Sequence, residues 1–127
     1  VLCIGETLEE RQQNLTADVI RRQLNRVLAH CGIGQFDQAV IAYEPVWAIG
    51  TGVSAEPEQA KEVHDLIREI LIDSDPEIGE KIQLIYGGSV SPDNAEMLFS
   101  IENIDGALVG GASLNADKFN EICRLAS

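Results

Sequence analysis

Apolar positions along the chain follow two rhythms that alternate four times. Short, mainly apolar runs fall at 1–4 (VLCI), 39–43 (AVIAY), 82–86 (IQLIY) and 106–109 (GALV), each of strand rather than helix length. Between them the period lengthens to that of an amphipathic helix. From about Thr16, Ile20, Leu24, Val27, Leu28 and Cys31 share one face and Gly32 supplies the stop. From Pro57, well suited to a first helical position, Ala60, Val63, Ile67, Ile70 and Leu71 face inward. Glu56 stands at the cap of that helix, where Glu is a poor choice. Ser91-Pro92 opens a third helix with a better cap, and Met97, Leu98 and Phe99 read as its core. The last helix, after Gly110-Gly111, contains Leu114, Phe119, Ile122 and Leu125. Strands apolar on both faces, each followed by a helix, predict an α/β protein with a parallel sheet covered by helices.

Composition narrows the picture. The chain has 127 residues, 45% of them hydrophobic, enough for one domain with a core. No apolar run approaches the roughly 20 residues of a membrane span, and no basic segment leads into an apolar one as in a secretory signal. With 21 acidic against 9 basic residues the formal charge is −12, which argues against nucleic acid as a partner. Cys3, Cys31 and Cys123 are too scattered for a zinc site or a disulfide framework. They are expected as reduced, mostly buried thiols of a cytoplasmic protein. Cys3, inside a strand, is expected to be structural rather than nucleophilic. Val1 already lies in an apolar run, so further sequence is expected before it.

Chemistry is expected at the ends of these strands. In AYEPVWAIGTG (42–52) a lone carboxylate, Glu44, stands where a strand gives way to a mostly apolar loop. An arbitrary Glu is usually a solvated surface charge; this placement is not that of a solvated turn. Diglycine turns follow the third strand in YGGSV and the fourth in VGGASL. A GG pair commonly makes a tight turn only, but two on adjacent strands let backbone N–H groups approach an anion without Cβ atoms in the way. A helix start after Gly111 adds further N–H groups. In a parallel barrel, loops at the C-terminal strand ends build the site, often with phosphate after the last two strands. Four β-α units in 127 residues are half of a (β/α)8 barrel of about 250 residues. The same arithmetic also describes a small open doubly wound sheet.

VLCIGET, AYEPVWAIGTG, YGGSV and DGALVGGASL, in this order on consecutive strand ends, resemble the triosephosphate isomerase family. The resemblance spans essentially the whole chain and implies the parallel (β/α)4 C-terminal half of a TIM (β/α)8 barrel, the fifth strand to the eighth helix, over 1–127 as one domain with the N-terminal half absent. It implies interconversion of dihydroxyacetone phosphate and glyceraldehyde 3-phosphate, in glycolysis and gluconeogenesis, without a cofactor or metal. Glu44 then matches the general base, which works best when water is excluded. Pro45, Val46, Trp47, Ala48, Ile49, Thr51 and Gly52 match a mobile lid, with Pro45 at a stiff near hinge and Gly50 and Gly52 in the far half. Glu6 matches the acceptor of the lid Trp hydrogen bond, and Tyr86 and Ser89 the groups that hold the lid closed. Phosphate contacts pass to the backbone N–H groups of Gly50, Ser89, Gly110 and Gly111.

The family's Lys and Asn at the first strand end, its His electrophile at the fourth, and its main dimer loop have no counterpart in this chain. His30 and His64 lie within predicted helices and are expected as surface or packing residues. The resemblance therefore implies a homodimeric parent acting on a small phosphorylated triose, with neither membrane nor nucleic acid as partner. The 127-residue chain alone is expected to be inactive or nearly so, and to self-associate or pair with the missing half through its open strand edges. Another phosphate-binding barrel isomerase would lack the EPVWAIGTG lid. The alternative from a different class is a non-catalytic engineered or split half-barrel that binds phosphate or only reports on folding.

Overall fold

A computed structural model describes residues 1–127 apart from Gly50, Gly52 and Val53. Its strands are β1 (Leu2–Ile4), β2 (Val40–Tyr43), β3 (Gln83–Tyr86) and β4 (Gly106–Ala107), and its helices are α1 (Leu8–Gln12), α2 (Thr16–Cys31), α3 (Pro57–Ser74), α4 (Pro76–Lys81), α5 (Pro92–Phe99) and α6 (Ala116–Leu125). Single 3-10 turns lie at Ile33–Phe36, Val46–Ala48 and Gly111–Leu114. The sheet is four-stranded in the order β1-β2-β3-β4, and every pair is parallel, with Leu2 opposite Ile41, Ile41 opposite Leu84 and Ile85 opposite Gly106. Sequential parallel strands with a helix in each crossover make half of a TIM barrel, the form expected rather than a doubly wound sheet.

The core lies where the strands meet the helices of the crossovers. Ile20 and Leu24 of α2, Ile67 and Leu71 of α3 and Leu98 of α5 are wholly buried together with Ile41, Tyr43, Leu84 and Tyr86 of the sheet. Each such aliphatic side chain contributes about 1.5–3 kcal/mol through its removal from water. Arg68 of α3 ties the opposite ends of β3 and β4 to the helices. Its guanidinium donates to the carbonyls of Gly79 and Ile82 and to the side chains of Asn103 and Asp105, and Asp105 in turn accepts from the Leu84 N–H at 2.8 Å.

Two short helices were not foreseen. In α1 the Thr7 hydroxyl accepts from the Glu10 N–H while the Glu10 carboxylate accepts from the Thr7 N–H, a reciprocal cap. In α4 the Asp75 carboxylate accepts from the N–H groups of Glu77 and Ile78, ahead of Pro76 in the first turn. Glu56 is a better start for α3 than its type suggests, because the Gln59 side chain accepts from its N–H at 3.0 Å.

Several burial expectations are corrected. All three cysteines are exposed: β1 is an edge strand, and its alternation buries Ile4 while turning Cys3 outward. Partial desolvation, and secondarily the Glu44 carboxylate, push the Cys3 thiol above its ordinary pKa, which lowers its thiolate fraction. Leu114 precedes α6 in a 3-10 turn and is almost fully exposed, and Phe119 and Met97 also show much of their surface. Only Ile122 of α6 is buried, because that helix flanks an edge strand. His64 is a packing residue: it is wholly buried, its Nδ1 is 2.7 Å from the Asn103 carbonyl oxygen, and its ring meets Tyr43 edge-on.

Candidate active site

Glu44 is held by the sheet. Its N–H donates to the Ile4 carbonyl at 2.8 Å, and the Gly87 N–H donates to the Tyr43 carbonyl at 2.7 Å, so the ends of β1, β2 and β3 are locked together around it. Close approach is needed on both sides. A Cβ on Gly5 would lie 1.7 Å from the Glu44 carbonyl oxygen, and one on Gly87 would lie 2.4 Å from the Glu44 Cγ. No L side chain fits at Gly5 without moving backbone.

The Glu44 side chain lines a cavity of about 670 Å³ at the C-terminal ends of the strands. Ser89 and the Gly87-Gly88 turn form one wall of it, Gly110 and Gly111 another, and Ile49 and Lys118 contribute to its rim. Both diglycine corners thus open on the same space as the carboxylate. Built Cβ atoms on Gly110 and Gly111 would meet no atom within 4 Å, so these two glycines leave free room beside the cavity rather than filling a packed corner. The Ser113 N–H and hydroxyl both donate to the Gly110 carbonyl, which winds the chain after Gly111 into its 3-10 turn.

The segment after Glu44 is folded against this mouth. Pro45 is extended at φ −61° and leads into the turn of Val46, Trp47 and Ala48. The Ala48 carbonyl accepts from the Ser89 hydroxyl at 3.3 Å and from the Thr51 hydroxyl at 3.3 Å. Further along, the Ala55 N–H donates to the Tyr86 hydroxyl at 2.8 Å. Ala48 is buried and Trp47 half-buried, whereas Val46 and Ile49 keep about half their surface in solvent. The apolar cover over the half-buried Glu44 is therefore partial. Gly50 and Gly52, named for the phosphate site and the lid, lie outside the described residues.

At the near end of this segment Glu6 is completely buried. Its Oε1 accepts from Arg11 Nε at 2.6 Å, from the Tyr43 hydroxyl at 3.0 Å and from Trp47 Nε1 at 3.2 Å. Burial, and then the Glu6 charge, push the Tyr43 phenol well above its usual pKa, so it remains a donor. Arg11 was not singled out from the sequence; the Thr-x-x-Glu cap that builds α1 was the available signal. Asn94 and Lys118 were also missed. Asn94 donates to the Ser89 carbonyl at 3.0 Å and accepts from the Ser91 N–H, bracing the turn that carries Ser89. Among the described residues no group of three or more His, Cys, Asp or Glu is placed to hold a metal ion, and no helix is long and apolar enough to cross a membrane.

The architecture is that of a parallel β/α half-barrel in which a carboxylate and two diglycine corners line one cavity at the strand ends. The family model for triosephosphate isomerase matches residues 1–126. Relatives include the triosephosphate isomerases of Pseudomonas putida strain W619 and Pseudomonas syringae pv. tomato, each 58% identical over 126 residues, and that of Pseudomonas fluorescens strain Pf0-1 at 55%. Each alignment covers 99% of this chain and 50% of the relative. The chain belongs to the triosephosphate isomerase family, and it spans about half the length of the curated relatives it matches.

Proposed function

We propose that the chain corresponds to the second half of the family's barrel and carries its proton-transfer base, lid and phosphate cradle for interconverting dihydroxyacetone phosphate and glyceraldehyde 3-phosphate. The observation that carries this reading is that Glu44, Ser89, Gly110 and Gly111 line one cavity. An anion seated on the N–H groups of the two glycine corners would lie in the same space as the carboxylate. Glu44 removes a proton from the carbon beside the substrate carbonyl and returns it to the neighbouring carbon through an enediolate. Pro45 to Ala55 close over the substrate, with Trp47 on Glu6, the Ala48 carbonyl on Ser89 and Ala55 on Tyr86 as the holding contacts.

The groups that polarise the carbonyl lie outside these 127 residues in this reading. Loss of one preorganised oxyanion donor commonly costs about 10²–10³ in turnover, so the chain alone is inactive or nearly so. Amide chemical shifts during titration with inorganic phosphate test the cradle. The reading expects saturable changes at Ser89, Gly110 and Gly111, and an unresponsive cavity would contradict it.

A further inference from the structure

We infer that Arg11 is a positioning residue for the lid, resting on the reading of the segment after Glu44 as that lid. Glu6 gives one oxygen to three donors, and these are unequal. Arg11 Nε sits closest at 2.6 Å, the Tyr43 hydroxyl is at 3.0 Å, and Trp47 Nε1 is the farthest at 3.2 Å. An sp² carboxylate oxygen has two lone pairs, so three donors compete and the longest bond is the most readily released. Trp47 is also the only one of the three that lies in the segment after Glu44. A wholly buried carboxylate must keep a counter-charge, and Arg11 is the cation that bonds to it.

Arg11 touches Trp47 and Tyr43 as well. Its guanidinium carbon lies 5.4 Å from the centroid of the Trp47 ring, and Nη2 reaches the Tyr43 hydroxyl at 3.3 Å. A planar guanidinium bonds edge-on to the carboxylate while offering its face to an indole. Arg11 thereby sets the orientation of the Glu6 oxygen that receives Trp47 and provides the surface against which the ring docks. When Trp47 departs, the Arg11 and Tyr43 bonds keep Glu6 paired. The lid then opens without stranding a buried charge, and it returns to an acceptor that has not moved.

Trp47 is the only Trp in the chain, so its fluorescence and its single indole N–H resonance read this latch directly and without ligand. Arg11→Met is expected to red-shift Trp47 emission, lower its anisotropy and move the indole resonance upfield, at temperatures where far-UV circular dichroism is unchanged. Arg11→Lys keeps a charge for Glu6 but no planar face, so it is expected to retain the fold and still show the emission and anisotropy changes. A Trp47 signal in folded Arg11→Lys identical to that of the unaltered chain overturns the proposal. In the unaltered chain, a slowly exchanging Arg11 Nε–H with a cross-peak to the indole protons is expected, and its absence is equally fatal. Titration of the same samples with inorganic phosphate separates the two readings. An Arg11-dependent Trp47 signal without a phosphate response leaves the latch standing and removes the isomerase reading.

Discussion

Glu44 is fixed through its backbone and left half-exposed at its side chain, an arrangement that commits little folding energy to the carboxylate itself. Glu44→Gln is therefore expected to leave thermal stability nearly unchanged. In a preparation complemented with the other half of the barrel it should lower isomerase turnover by about 10²–10⁴, the usual contribution of a positioned base. A coupled assay with parallel melting curves checks both halves of that statement. His64 is the contrasting residue, with chemistry that belongs to stability. Burial pushes its pKa from 6.5 down to about 4, so the folded form binds fewer protons than the unfolded chain between those values. Its neutral form supports the fold fully above about pH 6.5, and that support drains away as pH falls toward 4. A 2.5-unit difference corresponds to about 3 kcal/mol. Urea unfolding across this range should show the decline, and His64→Gln should flatten it.

The strand-helix alternation was legible because the apolar period changes sharply at each boundary, and the glycine corners mark where strands end. Short polar elements were not legible in that way. Residues 8–12 bury nothing, so α1 leaves no apolar trace, and only the Thr7–Glu10 and Asp75–Pro76 capping signals announce α1 and α4. Reading those caps would also have drawn attention to Arg11. The position of Cys3 was misread because an apolar run suggests burial on both faces, whereas an edge strand covers one. Among elements, the joint between β2 and β3 bears most directly on the Glu44 side chain. Gly87→Ala places a methyl group against the Glu44 Cγ, a flexible side chain that can swing aside. The variant is expected to fold, to lose most of the complemented activity, and to keep phosphate binding at Gly110 and Gly111. In the core, Leu71→Ala should cost about 2–5 kcal/mol, while Leu114→Ala, at an almost fully exposed side chain, should be close to neutral. Denaturant midpoints for the two separate these cases.

At the scale of the molecule, β1 and β4 are the outer strands of an open parallel sheet. Open parallel sheets with unpaired edges invite further strands. Light scattering of the 127-residue chain is expected to give a mass above 13.8 kDa. A clean monomer at all concentrations would contradict this. The membership in the triosephosphate isomerase family rests on the whole chain, while the division of labour proposed for it rests on one cavity. The most direct test of that division is isomerase turnover measured three ways, with the chain alone, with the complementary half in trans, and with the Glu44→Gln chain in the same mixture. The account predicts no turnover above background from the chain alone, turnover on complementation, and its loss with Glu44→Gln. Robust turnover by the isolated chain, or a complemented Glu44→Gln mixture as active as the unaltered one, would contradict it.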